Sequence, residues 1–219
     1  MTVPLIERYR ARLPVGASTP VISLGEGSTP LLPAPRLAGS LGLRELWLKW
    51  EASNPTGSYK DRGMTVAVSK ALEEGARTVL CASTGNTAAS AAAYAARAGL
   101  QARIFLPRGA VASAKLTQAR MLGAEVVELD EDFDGCLRSA EEAAAAGQGA
   151  LVNSLNPFRR EGQKTAVFEI VEELGDVPDA FVLPYGGGGN TTSYAQALDE
   201  LGLEVPLVSV EATDRRSTM

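Results

Sequence analysis

The 219-residue sequence predicts an α/β protein, with mostly parallel sheet covered by helices on both faces. Two observations carry this. Short apolar runs alternate with Ala-rich helical stretches, which is the order of repeated β-α units. The junctions that lead from a strand into a helix are rich in Gly, Ser, Thr and Asn, and in such folds ligands gather at the carboxyl ends of the strands.

After a Pro- and Gly-rich opening, residues 46–51 form the first expected strand. A turn-rich run, Asn54-Pro-Thr-Gly-Ser-Tyr-Lys60, then leads into good helix formers, which places a helix start near Asp61. Further strands are expected at 78–82, 102–106, 125–129, 150–152, 180–183 and 207–211. Helices fit between them at 87–98, 113–122, 133–146, 160–174 and 191–201. The Ala-rich stretches at 91–98 and 143–146 read as helices packed closely on a sheet. Only 212–219 follow the last expected strand, so apolar sheet surface is expected to stay uncovered.

Composition narrows the function. Hydrophobic residues make up 45% of the chain and no composition shift marks a linker, as expected of a soluble globular protein. The net charge of -5 with no long basic run argues against a nucleic-acid surface or an anionic-membrane anchor. No window is apolar enough to span a membrane and no targeting pattern opens the chain, so a cytoplasmic location is expected. Histidine is absent, which excludes Ser-His-Asp and Cys-His chemistry and imidazole-based zinc sites. Cys81 and Cys136 lie far apart with no second ligand nearby, so no metal site is expected and each reads as a small buried residue.

A general base must therefore come from Lys, Asp, Glu, Tyr or a cofactor. Lys60 stands at a loop-to-helix junction, where the helix dipole and the neighbouring Arg62 both favour a neutral amine able to condense with an aldehyde. A lone lysine is usually a solvated surface residue, so other parts of the chain decide.

Three junctions bear on it. Pro184-Tyr-Gly186-Gly187-Gly188-Gly189-Asn190 lies between a strand and a helix, and four glycines leave backbone N–H groups open to an anion, as in a phosphate cradle. The run is neither a Walker A loop nor a GxGxxG fingerprint. Ser83-Thr84-Gly85-Asn86-Thr87 offers hydroxyls and N–H groups that suit a carboxylate, or simple helix capping. Asn153-Ser154-Leu-Asn-Pro-Phe-Arg159 places a guanidinium beside amide and hydroxyl donors, which suits a phosphate or carboxylate.

Taken together, Gly27-Ser-Thr-Pro-Leu31, Ser58-Tyr-Lys60-Asp-Arg-Gly63, Ser83-Thr-Gly-Asn86, Asn153-Ser154 with Glu161-Gly-Gln-Lys-Thr165, and the glycine loop resemble the fold-type II pyridoxal-phosphate enzymes, and among them the threonine synthase family. The motifs occur in consistent order from about Leu5 to about Glu211, with Tyr59 where the family usually has Phe. The resemblance implies two open, mostly parallel sheets with flanking helices, the larger domain incomplete. Residues 1–50 would be the N-terminal part of the large domain, 51–158 the small domain with the lysine, and 159–219 part of the large phosphate-binding domain.

It further implies pyridoxal 5'-phosphate held by Lys60, with Tyr59, Asn86, Gly186, Gly187, Gly188, Gly189 and Asn190 as cofactor residues. Ser83, Thr84 and Thr87 would face the substrate carboxylate, and Asn153, Ser154 and Arg159 the phosphate of O-phosphohomoserine. The implied reaction converts O-phospho-L-homoserine and water to L-threonine and phosphate, in a full-length homodimer. A threonine or serine dehydratase-like lyase and an inactive pyridoxal-phosphate-binding protein are the alternatives. The family's C-terminal part, with the hydroxyl that faces the pyridine nitrogen, has no counterpart in this chain.

Overall fold

A parallel strand buried on both faces reads as an unbroken apolar run, and β3 (Thr78–Ala82) is such a strand. The computed structural model describes residues 3–110 and 114–211. In it β3 pairs in parallel with β4 (Gln101–Pro107) on one side and β6 (Ala150–Leu151) on the other. β4 in turn pairs in parallel with β5 (Glu125–Leu129), giving a sheet in the order β5-β4-β3-β6.

The two-residue alternation of a strand divides β3 between two cores. Val79 and Cys81 pack with α3 (Lys60–Glu73), α4 (Asn86–Ala98) and α5 (Ala114–Met121). Leu80 and Ala82 pack with α6 (Phe133–Ala145) on the opposite face. The Ala-rich α4 lies close on the sheet, and Gly99 ends it in the left-handed conformation that favours glycine. The helix expected at 113–122 is α5; Ser113 itself lies outside the described residues.

A third core gathers α1 (Leu5–Arg8), α7 (Pro157–Leu174) and α8 (Gly189–Leu201) on one face of β7 (Phe181–Pro184), which pairs in parallel with β8 (Leu207–Val210). Only Phe181 and Leu183 of β7 are buried; Val182, Val208 and Val210 are exposed on the other face.

Two expectations need correction. The strand at 46–51 does not join the parallel series: β2 (Trp47–Lys49) pairs antiparallel with β1 (Leu31–Pro33), and a short helix α2 (Pro35–Ser40) lies between them in the chain. α7 starts three residues before the expected Arg160, because Asn156 Oδ1 accepts from Phe158 N at 2.9 Å and Pro157 takes the first helical position.

The first and third of these cores meet where α3 crosses α7. A Cβ on Gly162 would stand 1.9 Å from the Arg62 carbonyl oxygen, and one on Gly63 2.6 Å from that of Arg159. The helices therefore touch backbone to backbone, and only glycine fits. Beside the crossing, Arg62 is fully buried between Glu51 and Glu169, at 2.8 and 2.7 Å. Burial alone would raise the Glu169 carboxyl, but the Arg62 hydrogen bonds and charge, helped by the Ser28 N–H and Lys49, hold it at about 2.

Candidate active site

The crossing sets the position of Lys60, the first residue of α3. The loop before it is tied down at each step. Asn54 is buried, its Oδ1 accepting from Gly27 N at 3.0 Å and its Nδ2 donating to the Glu51 carbonyl at 2.9 Å. Asp61 is buried and accepts from Thr56 N, Thr56 Oγ1 and Ser90 Oγ at 2.7, 2.6 and 2.6 Å. Burial pushes the Asp61 carboxyl above its ordinary value, against those three hydrogen bonds. Lys115 Nζ donates to the Thr56 carbonyl at 2.5 Å, so α5 also braces the loop.

Lys60 is left half-buried with Nζ 4.6 Å from the centre of the Tyr59 ring. Arg62, expected to act on this amine, points into the carboxylate pair of Glu51 and Glu169. Residues two apart on a helix do not face one another, so the positive charge of Arg62 is compensated in the core.

Lys60 and Tyr59 line a cavity of about 140 Å³ together with Ser154, Gln163, Asn190 and the loop Gly186 to Gly189. Gly188 has φ of 76° and precedes the first turn of α8, so the loop turns where a side chain would be strained. A Cβ on Gly186 or Gly187 would meet nothing within 4 Å, which leaves their backbone open to a ligand. The N-terminus of the 13-residue α8 adds a field that favours an anion.

The site residues read from the sequence thus divide. Lys60, Tyr59, Ser154, Gly186, Gly187, Gly188, Gly189 and Asn190 share one cavity. Asn86 is exposed at the start of α4, with Ser83, Thr84 and Thr87 half-buried around the same turn; none of the four lines that cavity. Asn153 spends its amide on β3, with Oδ1 accepting from Ala82 N at 2.9 Å and Nδ2 donating to its carbonyl at 3.0 Å. Arg159 is fully buried behind the cavity wall, donating at 3.2 Å to the Val152 carbonyl and to Gln163 Oε1. Its Nε has no partner, and burial lowers the affinity of this guanidinium for its proton.

Gln163, like Pro184 and Thr191, lines the cavity without having been singled out from the sequence. A signal existed: Arg159 and Gln163 are four apart in a helix and so share a face. Gln163 Nε2 donates to Ser193 Oγ at 3.2 Å, and Ser193 Oγ to the Gly189 carbonyl at 2.8 Å, which ties α7 to the glycine loop.

An open glycine loop at a helix N-terminus, facing a lysine amine across a small cavity, is a donor set that fits a phosphorylated aldehyde. Lys60 can hold the aldehyde carbon while backbone N–H groups hold the phosphate. Both cysteines are buried and unbonded, and burial pushes the Cys81 thiol up to about 12, so neither is a nucleophile here. Among the described residues no group of three His, Cys, Asp or Glu side chains could hold a metal ion, and no helix is long and apolar enough to cross a membrane.

Several known proteins are similar to this chain. The chain is 54% identical over 191 residues to a threonine synthase of Synechocystis sp., covering 87% of this chain and 50% of that one. It is 54% identical over 197 residues to a threonine synthase of Mycobacterium leprae, covering 90% and 54%. The chain therefore spans about half the length of these curated relatives. Among solved structures, a threonine deaminase from T.th. superposes with a TM-score of 0.76 at 31% identity, over 95% of this chain and 64% of that one. Residues 22–218, which contain Lys60 and the whole glycine loop, match the model of the pyridoxal-phosphate dependent enzymes, and the chain belongs to that family.

Proposed function

We propose that the protein converts O-phospho-L-homoserine and water to L-threonine and phosphate. The observation that carries the reading is the single cavity in which Lys60 faces the glycine loop and Ser154. The relatives at 54% identity, each a threonine synthase, support the choice of substrate.

Pyridoxal phosphate, when bound, supplies a conjugated ring that takes up the electron pair left by proton removal. Lys60 would hold the cofactor aldehyde and would be freed by the substrate amine. Its amine could then carry the α-proton and a β-proton in turn, giving one to the γ-carbon as phosphate leaves and returning one to the α-carbon, while water supplies the β-hydroxyl and its remaining proton goes to the released phosphate. Gly186, Gly187, Gly188, Gly189 and Asn190 hold the cofactor phosphate, Tyr59 supports the lysine, and Asn86 donates to the ring oxygen. Ser83, Thr84 and Thr87 take the substrate carboxylate from the start of α4. Ser154 faces the substrate phosphate, while Asn153 and Arg159 shape that loop from behind. The residue blocks 1–50, 51–158 and 159–219 serve as the two ends of a large domain and the small domain between them. The protein acts in the cytoplasm, as a homodimer in its full-length form.

Release of phosphate with formation of threonine from O-phospho-L-homoserine tests the reading. Ammonia and a keto acid from threonine or serine, without that phosphate release, would establish instead the dehydratase-like activity, which the likeness to a threonine deaminase favours as the second reading. Incubation with pyridoxal phosphate is expected to give an absorbance band near the visible edge that Lys60→Ala abolishes; a band without turnover in either assay marks a cofactor-holding protein only.

A further inference from the structure

The cavity wall contains a side chain for which the reading above has no task. Gln163 is 3% exposed, yet it lines the space between Lys60 and the glycine loop. Its amide can stand only one way round. Arginine offers donors alone, so the atom that meets Arg159 Nη2 at 3.2 Å is the carbonyl oxygen, and the NH₂ group is the one turned toward Ser193, on a residue that lines the cavity. Ser193 passes its own proton to the Gly189 carbonyl at 2.8 Å, leaving a lone pair for one amide hydrogen of Gln163. The second amide hydrogen has no acceptor among the described residues.

Behind it stands an unbalanced charge. Arg159 is fully buried, its two hydrogen-bond acceptors are neutral, and its Nε has no partner. Asp61 is near enough for its charge to act on Arg159, but among the described residues no carboxylate is bonded to this guanidinium; a buried cation without a bonded carboxylate is costly, and an anion one residue away would offset that cost. Arg159 does not line the cavity, so its influence on a ligand runs through the amide it orients.

We propose that Gln163 is a further phosphate-binding residue: its free amide N–H donates to the phosphate monoester of the cofactor at the glycine loop, and Arg159 is the residue that positions the amide. This rests on the reading of the glycine loop as the cofactor phosphate site. Because α7 is locked against α3 at Gly162, the donor is fixed in place before the ligand arrives.

The test compares the affinities of the chain for pyridoxal phosphate and for pyridoxal, which differ only in the phosphate, by absorbance titration. The wild-type protein is expected to prefer pyridoxal phosphate strongly. Gln163→Glu and Gln163→Met are each expected to reduce that preference at least tenfold while pyridoxal binds within twofold of wild type. Gln163→Glu places a carboxylate against Arg159, so without ligand it is expected to melt no lower than wild type; a purely structural role predicts that this variant also keeps its preference. Should Gln163→Glu not fold, Gln163→Met carries the same comparison. Arg159→Met is expected to lower the ratio as well, and Arg159→Lys, which keeps a donor toward Oε1, to retain most of it. A wild type with no preference overturns the phosphate-site reading and this inference with it. A wild type that prefers pyridoxal phosphate beside Gln163 variants that do so equally overturns this inference alone. Variants that keep the preference but lose affinity for O-phospho-L-homoserine at saturating cofactor assign the amide to the substrate phosphate and overturn the cofactor assignment.

Discussion

The two parallel sheets of this protein differ in what covers them. β3 hides four of its five residues between helices on both faces, whereas β7 hides alternate residues and β8 hides none completely. In the first sheet Val79 and Cys81 face one core and Leu80 and Ala82 the other. In the second, the cross-strand pairs Val182 with Val208 and Pro184 with Val210 lie on a face that no described residue covers. The lesson concerns the site: Lys60 is held by the fully covered half, and the glycine loop hangs from the half-covered one. Their relative position then depends on the seam at Gly63, Gly162 and Arg62 more than on either sheet.

Breaking that seam should have the largest effect. Gly162→Ala forces a Cβ to within 1.9 Å of a backbone oxygen in a neighbouring helix, so the helices must separate. We expect a loss above about 3 kcal/mol, at the upper end for overpacking, seen as a collapsed denaturation midpoint. An unchanged midpoint would show that the two halves are not joined there.

Acid should open the same seam reversibly. Glu169 is held at about 2 against an ordinary 4.5, so its folded-state value is depressed. The stabilisation is then complete above pH 4.5 and is lost as pH falls from there toward 2, for a total of roughly 3 kcal/mol. Glu169→Gln should be less stable at neutral pH and lose less on acidification; parallel pH profiles for the two proteins would contradict this.

The sheets themselves can be compared by truncation. Leu80→Ala, in a strand covered on both faces, should cost about 3 kcal/mol because it leaves a cavity under α6. Val182→Thr, on the bare face, should stay within about 0.5 kcal/mol. A large loss for Val182→Thr in a urea titration would mean that something covers this face in solution.

The same contrast explains what is readable in advance. β3 is legible to the residue, since an apolar run between turn signals is what a buried parallel strand looks like; β5 has the expected bounds as well, although its Glu125 and Glu128 are exposed and none of its residues is fully buried. β1 is not, because three residues beginning Leu31-Leu32 among prolines show no period. Lys60, Tyr59, Ser154 and the glycine loop are legible as a set, since their residue types carry their chemistry and the β-α order places strand ends together. Arg62 misleads: adjacency in sequence suggests a partner for Lys60, while the helix turns it into the core. Gln163 escapes notice because an amide becomes a directed donor only when one neighbour consumes its oxygen and another its proton.

Local chemistry along the chain is therefore enough to determine the α/β class and to draw attention to the lysine and the glycine loop that share one cavity, because strand periodicity, helix capping and glycine freedom act within a few residues. Tertiary structure alone decides which groups surround that lysine. Arg62 is neutralised by Glu169, 107 residues away, and Gln163 is oriented between Arg159 and Ser193, because buried charges and hydrogen bonds take their partners from whatever packing brings within about 3 Å.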